Sequence, residues 1–177
     1  MQAMKELLPG AWLMTLPRFE DERGDFTKLP NTHGLAALGL SFEVREQFIT
    51  RSRRDVIRGL HFQLPPHDHV KLVCCVHGGV EDVIVDLRKG PGFGRVASVT
   101  LHSDEPQMLY LPAGIAHGFR SLADDSTMLY LTSSEHAPSH DGGVLWSSID
   151  FDWGCAMPVL SARDQAHPPL AGFDSPF

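Results

Sequence analysis

Apolar and polar positions alternate along this chain in short bursts broken by Gly, Pro, Asp and Ser, the period-2 signature of strands. The strongest such stretch predicts a hairpin over Val70–Leu87. Its arms are Lys71-Leu72-Val73-Cys74-Cys75-Val76 and Val80-Glu81-Asp82-Val83-Ile84-Val85-Asp86-Leu87, with Gly78-Gly79 in the turn. In the second arm Val83, Val85 and Leu87 share one face, and Asp82, Ile84 and Asp86 the other. Further strands are predicted at Val96–Leu101, Gln107–Leu111 and Thr127–Thr132, the last grouping Met128, Tyr130 and Thr132 on one side. A strand through His61 places Gly59, His61 and Gln63 on one face, with Arg58, Leu60 and Phe62 on the other. Helical periodicity is scarce, and its best stretch is the brief Gly34–Leu40. After about Ser133 the pattern loosens into a Ser/Gly/Pro-rich segment carrying Trp146 and Trp153. Many short strands with frequent turns predict an antiparallel sandwich, jelly roll or barrel, whose mouth can hold a ligand. With no internal repeat or linker, residues 1–177 read as a single domain.

Composition narrows the function classes. At 42% hydrophobic and 21% charged residues, the chain falls in the ordinary globular range. No apolar run approaches the roughly 18 residues of a membrane span, and residues 1–10 lack the apolar core of a signal peptide. The expectation is a cytoplasmic protein without membrane association. A formal net charge of −7 argues against a nucleic-acid partner. An anionic ligand would therefore need a local cationic site, and Arg51, Arg53, Arg54 and Arg58 cluster suitably. Arg53 and Arg54 read equally well as solvated surface; Arg58 differs in sitting inside an apolar, patterned segment. Cys74 and Cys75 are adjacent in a strand and point to opposite faces, so they read as thiols, as does the solitary Cys155.

Ten histidines raise the question of a metal. His67-Asp68-His69 offers a His-x-His pair, and Pro112-Ala113-Gly114-Ile115-Ala116-His117 resembles the second motif of metal-binding cupins. The carboxylate ligand that such proteins carry soon after His-x-His is missing: Val70 to Cys75 contain no acid. The later motif ends in Ser121 rather than Asn. No metal is expected, and His67 and His69 read as a polar turn after Pro65-Pro66. Without metal, a histidine with an ordinary pKa of about 6.5 can still serve as a base near neutrality. It then needs an orienting partner, usually a carboxylate, and a donor to stabilise the anion it creates. The residues alone do not show which His and Asp meet.

Several segments, in order and spacing, resemble the dTDP-4-dehydrorhamnose 3,5-epimerase family. They are Phe19-Glu20-Asp21-Glu22-Arg23-Gly24-Asp25-Phe26, Ile57-Arg58-Gly59-Leu60-His61-Phe62-Gln63, Lys71-Leu72-Val73, and Asp82-Val83-Ile84-Val85-Asp86-Leu87-Arg88-Lys89-Gly90 with Phe93-Gly94. Leu111-Pro112-Ala113-Gly114-Ile115-Ala116-His117-Gly118-Phe119, Leu129-Tyr130 and Leu160-Ser161-Ala162-Arg163-Asp164 complete the set. The resemblance implies an all-β, cupin-type antiparallel jelly-roll barrel with few short helices. It also implies a homodimer whose neighbouring chain contributes to the nucleotide pocket, and a nucleoside-diphosphate sugar as substrate with no cofactor. By the same resemblance His61 is the base that removes a proton alpha to the C4 ketone, and Asp164 orients it. Lys71 stabilises the enolate oxygen, and Tyr130 donates a proton from the opposite face. Arg23 and Arg58 match arginines near the diphosphate, where a planar fork suits paired oxygens. Phe26, Gln47, Gln63 and His117 join them as expected substrate contacts.

Departures from the pattern bear on the nucleotide. Phe26-Thr27-Lys28 stands where the family often has Phe-Phe-Glu, whose acid helps read thymine. The stretch Gln47-Phe48-Ile49-Thr50-Arg51-Ser52 is short and lacks the usual Gln-x-Asn, and Glu135-His136 replaces a second aromatic after Tyr130. These changes spare the proton-transfer residues. Alternatives on the same fold are a sugar-nucleotide ketoisomerase and a non-catalytic sugar-nucleotide-binding cupin, with a metal-dependent cupin oxygenase last.

Overall fold

Lys71–His77 and Gly79–Asp86 are both strands, but they do not pair with each other: they lie in opposite sheets. The predicted hairpin is thus a corner between layers. Only Gly78, at φ +72°, separates the two strands, and it turns the chain across the barrel; a Cβ there would press on Ser126 at 2.9 Å. The near-continuous apolar run of both arms has the same origin, since each strand is covered on both faces.

The computed structural model describes residues 4–177. Its first strands are β1 (Met4–Leu8), β2 (Ala11–Thr15), β3 (Arg18–Asp21) and β4 (Gly24–Thr27), followed by helix α1 (Thr32–Ala37). Then come β5 (Glu46–Ser52), β6 (Ile57–Gln63), β7 (Lys71–His77), β8 (Gly79–Asp86), β9 (Val96–His102) and β10 (Gln107–Leu111). The remainder is β11 (Ile115–Ser121), β12 (Ser126–Thr132), β13 (Asp141–Gly143) and helix α2 (Ala162–Gln165). Two antiparallel sheets face each other, one ordered β1-β2-β10-β7-β12-β5 and the other β13-β6-β11-β8-β9; β3 and β4 form a separate ribbon. This is the jelly-roll arrangement expected from the chain. The predicted helix is present but shifted towards the N-terminus, because the Asn31 side chain caps it by accepting from Gly34 N at 2.8 Å.

Three apolar layers hold the sheets. Between them pack Leu13, Val73, Cys75, Ile84, Leu109, Phe119 and Met128. Behind the five-stranded sheet, Ile57, Leu60, Phe62, Val83, Val85 and Leu87 are covered by the C-terminal segment through Trp146, Phe151, Trp153, Phe173 and Phe177. Behind the six-stranded sheet, Met14, Leu72, Cys74, Met108 and Tyr110 are covered by Leu35 of α1 and Phe42. The loosely patterned tail is therefore a lid on one sheet. Cys74 and Cys75 face different layers and remain free thiols.

One irregularity decides where the site residues point. β6 meets β11 with His61 opposite His117 but Arg58 opposite Phe119, so β6 carries an extra residue between them. The bulge falls at Gly59, whose φ is +125° and whose added Cβ would sit 2.5 Å from the Gly118 Cα. Ile57, Leu60 and Phe62 consequently face the outer layer, while Arg58, His61 and Gln63 face inward. Strict alternation had set Arg58 on the opposite face; the bulge brings it to the same side as His61.

Candidate active site

A cavity of about 250 Å³ opens between the sheets, and Arg58, His61, Gln63, Lys71, His117 and Tyr130 all line it. A larger groove of about 500 Å³ beneath the β3–β4 ribbon holds none of the predicted acid–base groups. The cavity's two walls come from different sheets: β6, β11 and β13 on one side, β5, β7 and β12 on the other.

His61 lies near the end of β6, between β11 and β13, and is half-buried. Its Nε2 is 2.5 Å from Asp164 Oδ1. Asp164 is the third residue of α2, a helix capped by Ser161, whose hydroxyl accepts from the Asp164 backbone N at 3.0 Å. The cap fixes the backbone, and the carboxylate is left to reach β6. Burial alone would raise the Asp164 carboxyl, but the hydrogen bond and charge of His61 outweigh it and hold the group below its ordinary value. A proton shared on this side of the imidazole leaves the other ring nitrogen free to accept one.

Lys71 begins β7, and its Nζ donates to the His61 carbonyl at 3.1 Å. Burial pushes its ammonium down to about 8, against the partial support of Asp141. Tyr130 is buried on β12, its ring parallel to Phe48 with centroids 4.7 Å apart and edge-on to His117 at 6.0 Å. Burial raises its phenol well above the ordinary value, so it is a proton donor throughout the neutral range. His117 is buried with Asp82, their Nε2–Oδ2 separation being 2.8 Å. Desolvation raises the Asp82 carboxyl despite the His117 contact.

The remaining expected contacts divide. Arg58 lines the cavity with its guanidinium held by Ser52 Oγ at 3.0 Å and the Arg51 carbonyl at 3.1 Å. Gln63 also lines it, but its amide is committed to the wall: Nε2 donates to the His67 carbonyl at 2.8 Å, and Oε1 accepts from Ala137 N at 2.7 Å. Gln47 does not line it. Glu46, Phe48 and Thr50 occupy the cavity face of β5, so the period of 2 turns Gln47 outward. Arg23 and Phe26 lie outside the cavity of their own chain, on the exposed β3–β4 ribbon. Phe26 is 62% exposed, and among the described residues Arg23 pairs only with Asp21 of the same ribbon, at 2.5 Å.

The residues alone had not singled out Asp82, Arg163, Asp141, Glu46, Phe48 or His167. Arg163 reaches the cavity from α2 and pairs with Asp141 at 2.7 Å. Its position beside Asp164 in the same motif was the one available signal. His167 stacks edge-on to His61 at 5.5 Å, in space left by Gly143, with its Nε2 3.6 Å from Asp164 Oδ1. His61, Asp164 and His167 are the one group among the described residues close enough to hold a metal ion, and an ion there would have to part the His61–Asp164 contact. The His-x-His pair does not converge. His67 packs against His140 at 4.5 Å, whereas His69 accepts from Gln63, and burial drives its imidazole down to about 3.

Set beside known proteins, the chain matches the family described as dTDP-4-dehydrorhamnose 3,5-epimerase over residues 5–172. It is 42% identical to the dTDP-4-dehydrorhamnose 3,5-epimerase of Mycobacterium tuberculosis, over 95% of this chain and 87% of that protein. A dTDP-4-dehydrorhamnose 3-epimerase of Streptomyces niveus is 36% identical, over 89% of this chain and 78% of that one. The crystal structure of a 4-keto-6-deoxy sugar epimerase from the novobiocin cluster of Streptomyces spheroides superposes with a TM-score of 0.92 at 34% identity, covering 97% of this chain and 88% of that one. The shared fold and the near-complete coverage in sequence agree, and the protein belongs to the dTDP-4-dehydrorhamnose 3,5-epimerase family.

Proposed function

We propose that this protein epimerises a dTDP-linked 4-keto-6-deoxyhexose at C3, C5 or both. The observation that carries the reading is the His61–Asp164 contact on one cavity wall with Tyr130 and Lys71 on the other. His61 takes the proton from the carbon beside the C4 ketone, and the electron pair moves onto the ketone oxygen as an enolate. Lys71 supplies positive charge for that oxygen. Tyr130 returns a proton to the opposite face, the ketone re-forms, and the carbon is inverted. His61 then gives its proton to solvent and the phenolate regains one. The ketone is the electron sink, so the chemistry calls on no cofactor.

Arg58 and Arg163 are the cavity guanidiniums available to a diphosphate. Arg23 and Phe26 contribute from a second copy: their ribbon exposes Phe19 and Phe26, which fits a homodimer. No helix among the described residues is long and apolar enough to cross a membrane; the place of work is the cytoplasm, where nucleotide sugars are made.

The test incubates the protein with dTDP-4-keto-6-deoxyglucose in deuterated water and follows C3 and C5 by NMR. Deuterium at both carbons is the outcome of a 3,5-epimerase, and at one carbon that of a single-centre enzyme. A folded protein that exchanges neither carbon would refute the proposal. Sedimentation velocity reads the dimer, and a monomer at micromolar concentration would refute that part.

A further inference from the structure

Asp164 faces two histidines, and the proposed chemistry uses one of them. His61 Nε2 lies 2.5 Å from Asp164 Oδ1, and His167 Nε2 lies 3.6 Å from the same oxygen. The His167 side chain is 11% exposed, and its Nε2 is buried with no hydrogen-bond partner among the described residues. Buried ring nitrogens ordinarily find a donor or an acceptor. The separation from Asp164 is too long for a hydrogen bond, but it suits two atoms that share a metal ion. Ligands about 2.0–2.1 Å from a tetrahedral zinc stand roughly 3.3 Å apart.

The frame around these atoms is held by the fold. Asp164 is set by the Ser161 cap of α2, and His167 follows it by three positions. The next residue is anchored, Leu145 N donating to the Pro168 carbonyl at 2.8 Å. His61 stands on β6 opposite Gly143 of β13, where a Cβ would overlap the His167 ring. One ligand atom from each of His61, Asp164 and His167 lies within 4.8 Å of the other two. To admit zinc, the 2.5 Å contact of His61 with Asp164 must open by only about 0.8 Å. The His61 ring borders the cavity and has room to yield that much.

We propose that His61, Asp164 and His167 form an inhibitory zinc site whose fourth position opens on the cavity. Two imidazole nitrogens and one carboxylate oxygen suit zinc, whereas Mg2+ and Ca2+ take oxygen ligands. The metal takes the lone pair of His61 Nε2, and the ring's proton moves to Nδ1. No nitrogen of His61 is then left to accept a proton from a substrate. Metal binding does not depend on the epimerase reading; the silencing of turnover rests on it.

The experiment titrates metal-free protein with zinc by calorimetry and follows the imidazole 15N resonances, with the visible bands of four-coordinate Co2+ as a second probe. Wild type binds one zinc, the His61 and His167 resonances move together, and excess Mg2+ does not compete. His167→Phe keeps a ring beside His61 and removes the third ligand, so zinc affinity falls by about a hundredfold or more. His167→Gln repeats the test should Phe disturb packing. With dTDP-4-keto-6-deoxyglucose in deuterated water, zinc silences exchange by wild type and a chelator restores it. Each His167 variant, scored against its own metal-free rate, goes on exchanging at that zinc concentration. Equal zinc affinity in wild type and both variants overturns the site, as does zinc that shifts His67 or His140 and leaves His61 unmoved. Zinc bound at His61 and His167 with undiminished exchange overturns the inhibition. Zinc bound there by a protein that never exchanges upholds the site and removes the epimerase.

Discussion

His61 Nε2 and Asp164 Oδ1 meet at 2.5 Å although 103 positions separate them in the chain. Asp164 touches no reacting atom in the proposed chemistry; it sets which ring nitrogen carries the proton. Asp164→Asn keeps the size but presents an amide, and exchange is expected to fall by about two to four orders of magnitude. His61→Ala abolishes it. Equal deuterium wash-in for wild type and His61→Ala would remove His61 from the base role.

Lys71 gives the reaction an upper pH limit. Its ammonium is held at about 8 by burial, so the charge needed at the enolate is present below that pH and lost above it. kcat/KM should decline as pH rises through about 8. The same shift has a cost in stability. In the unfolded chain Lys71 titrates near 10.5, so the unfolded state binds more protons between about pH 8 and 10.5, and this residue's contribution improves as pH rises across that window. Below it the fold carries a buried charge. Lys71→Met should therefore raise stability at neutral pH by on the order of 1 to 3 kcal/mol while suppressing turnover, as read by thermal unfolding and exchange side by side.

Tyr130→Phe removes the proton donor and keeps the ring against Phe48. Wash-in at the carbon that His61 deprotonates continues, whereas formation of inverted product falls further than exchange does. Equal losses in the two rates would show that the phenol does not deliver the proton.

Much of this site could be read before any coordinates. The proposed base, lysine, tyrosine and carboxylate stand in ordered motifs; the first three line one cavity, and Asp164 joins it through its contact with His61. What escaped depends on register. Arg58 faces inward because of one extra residue opposite β11, and a bulge has no periodic signature beyond a glycine. Gln47 yields to Glu46 because strand phase decides the face, and a shift of one position exchanges the two. The sequence predicts a hairpin where Gly78 makes a corner, because apolar arms around paired glycines look alike whether the chain folds back or crosses to another layer. His167 and Asp141 lie in the weakly patterned tail, where only the fold shows what they approach.

Gly59→Ala tests the bulge. A methyl group there meets the Gly118 backbone at 2.5 Å, and the backbone sits at φ +125°. The expected loss is about 2–4 kcal/mol, accompanied by reduced exchange because Arg58 and His61 flank the distortion. Unfolding in urea measures the first effect; unchanged stability would show that β6 and β11 can separate there.

Because His61 belongs to one sheet and Tyr130 to the other, no strand or loop sets the gap between them directly. That gap is a thickness, maintained by the inter-sheet filling of Val73, Ile84 and Met128. In the proposed reaction, side chains outside the cavity lining thereby govern how far a proton's departure point lies from its return point. Thinning this layer by a methylene or two would detune inversion while leaving each catalytic group with its own neighbours.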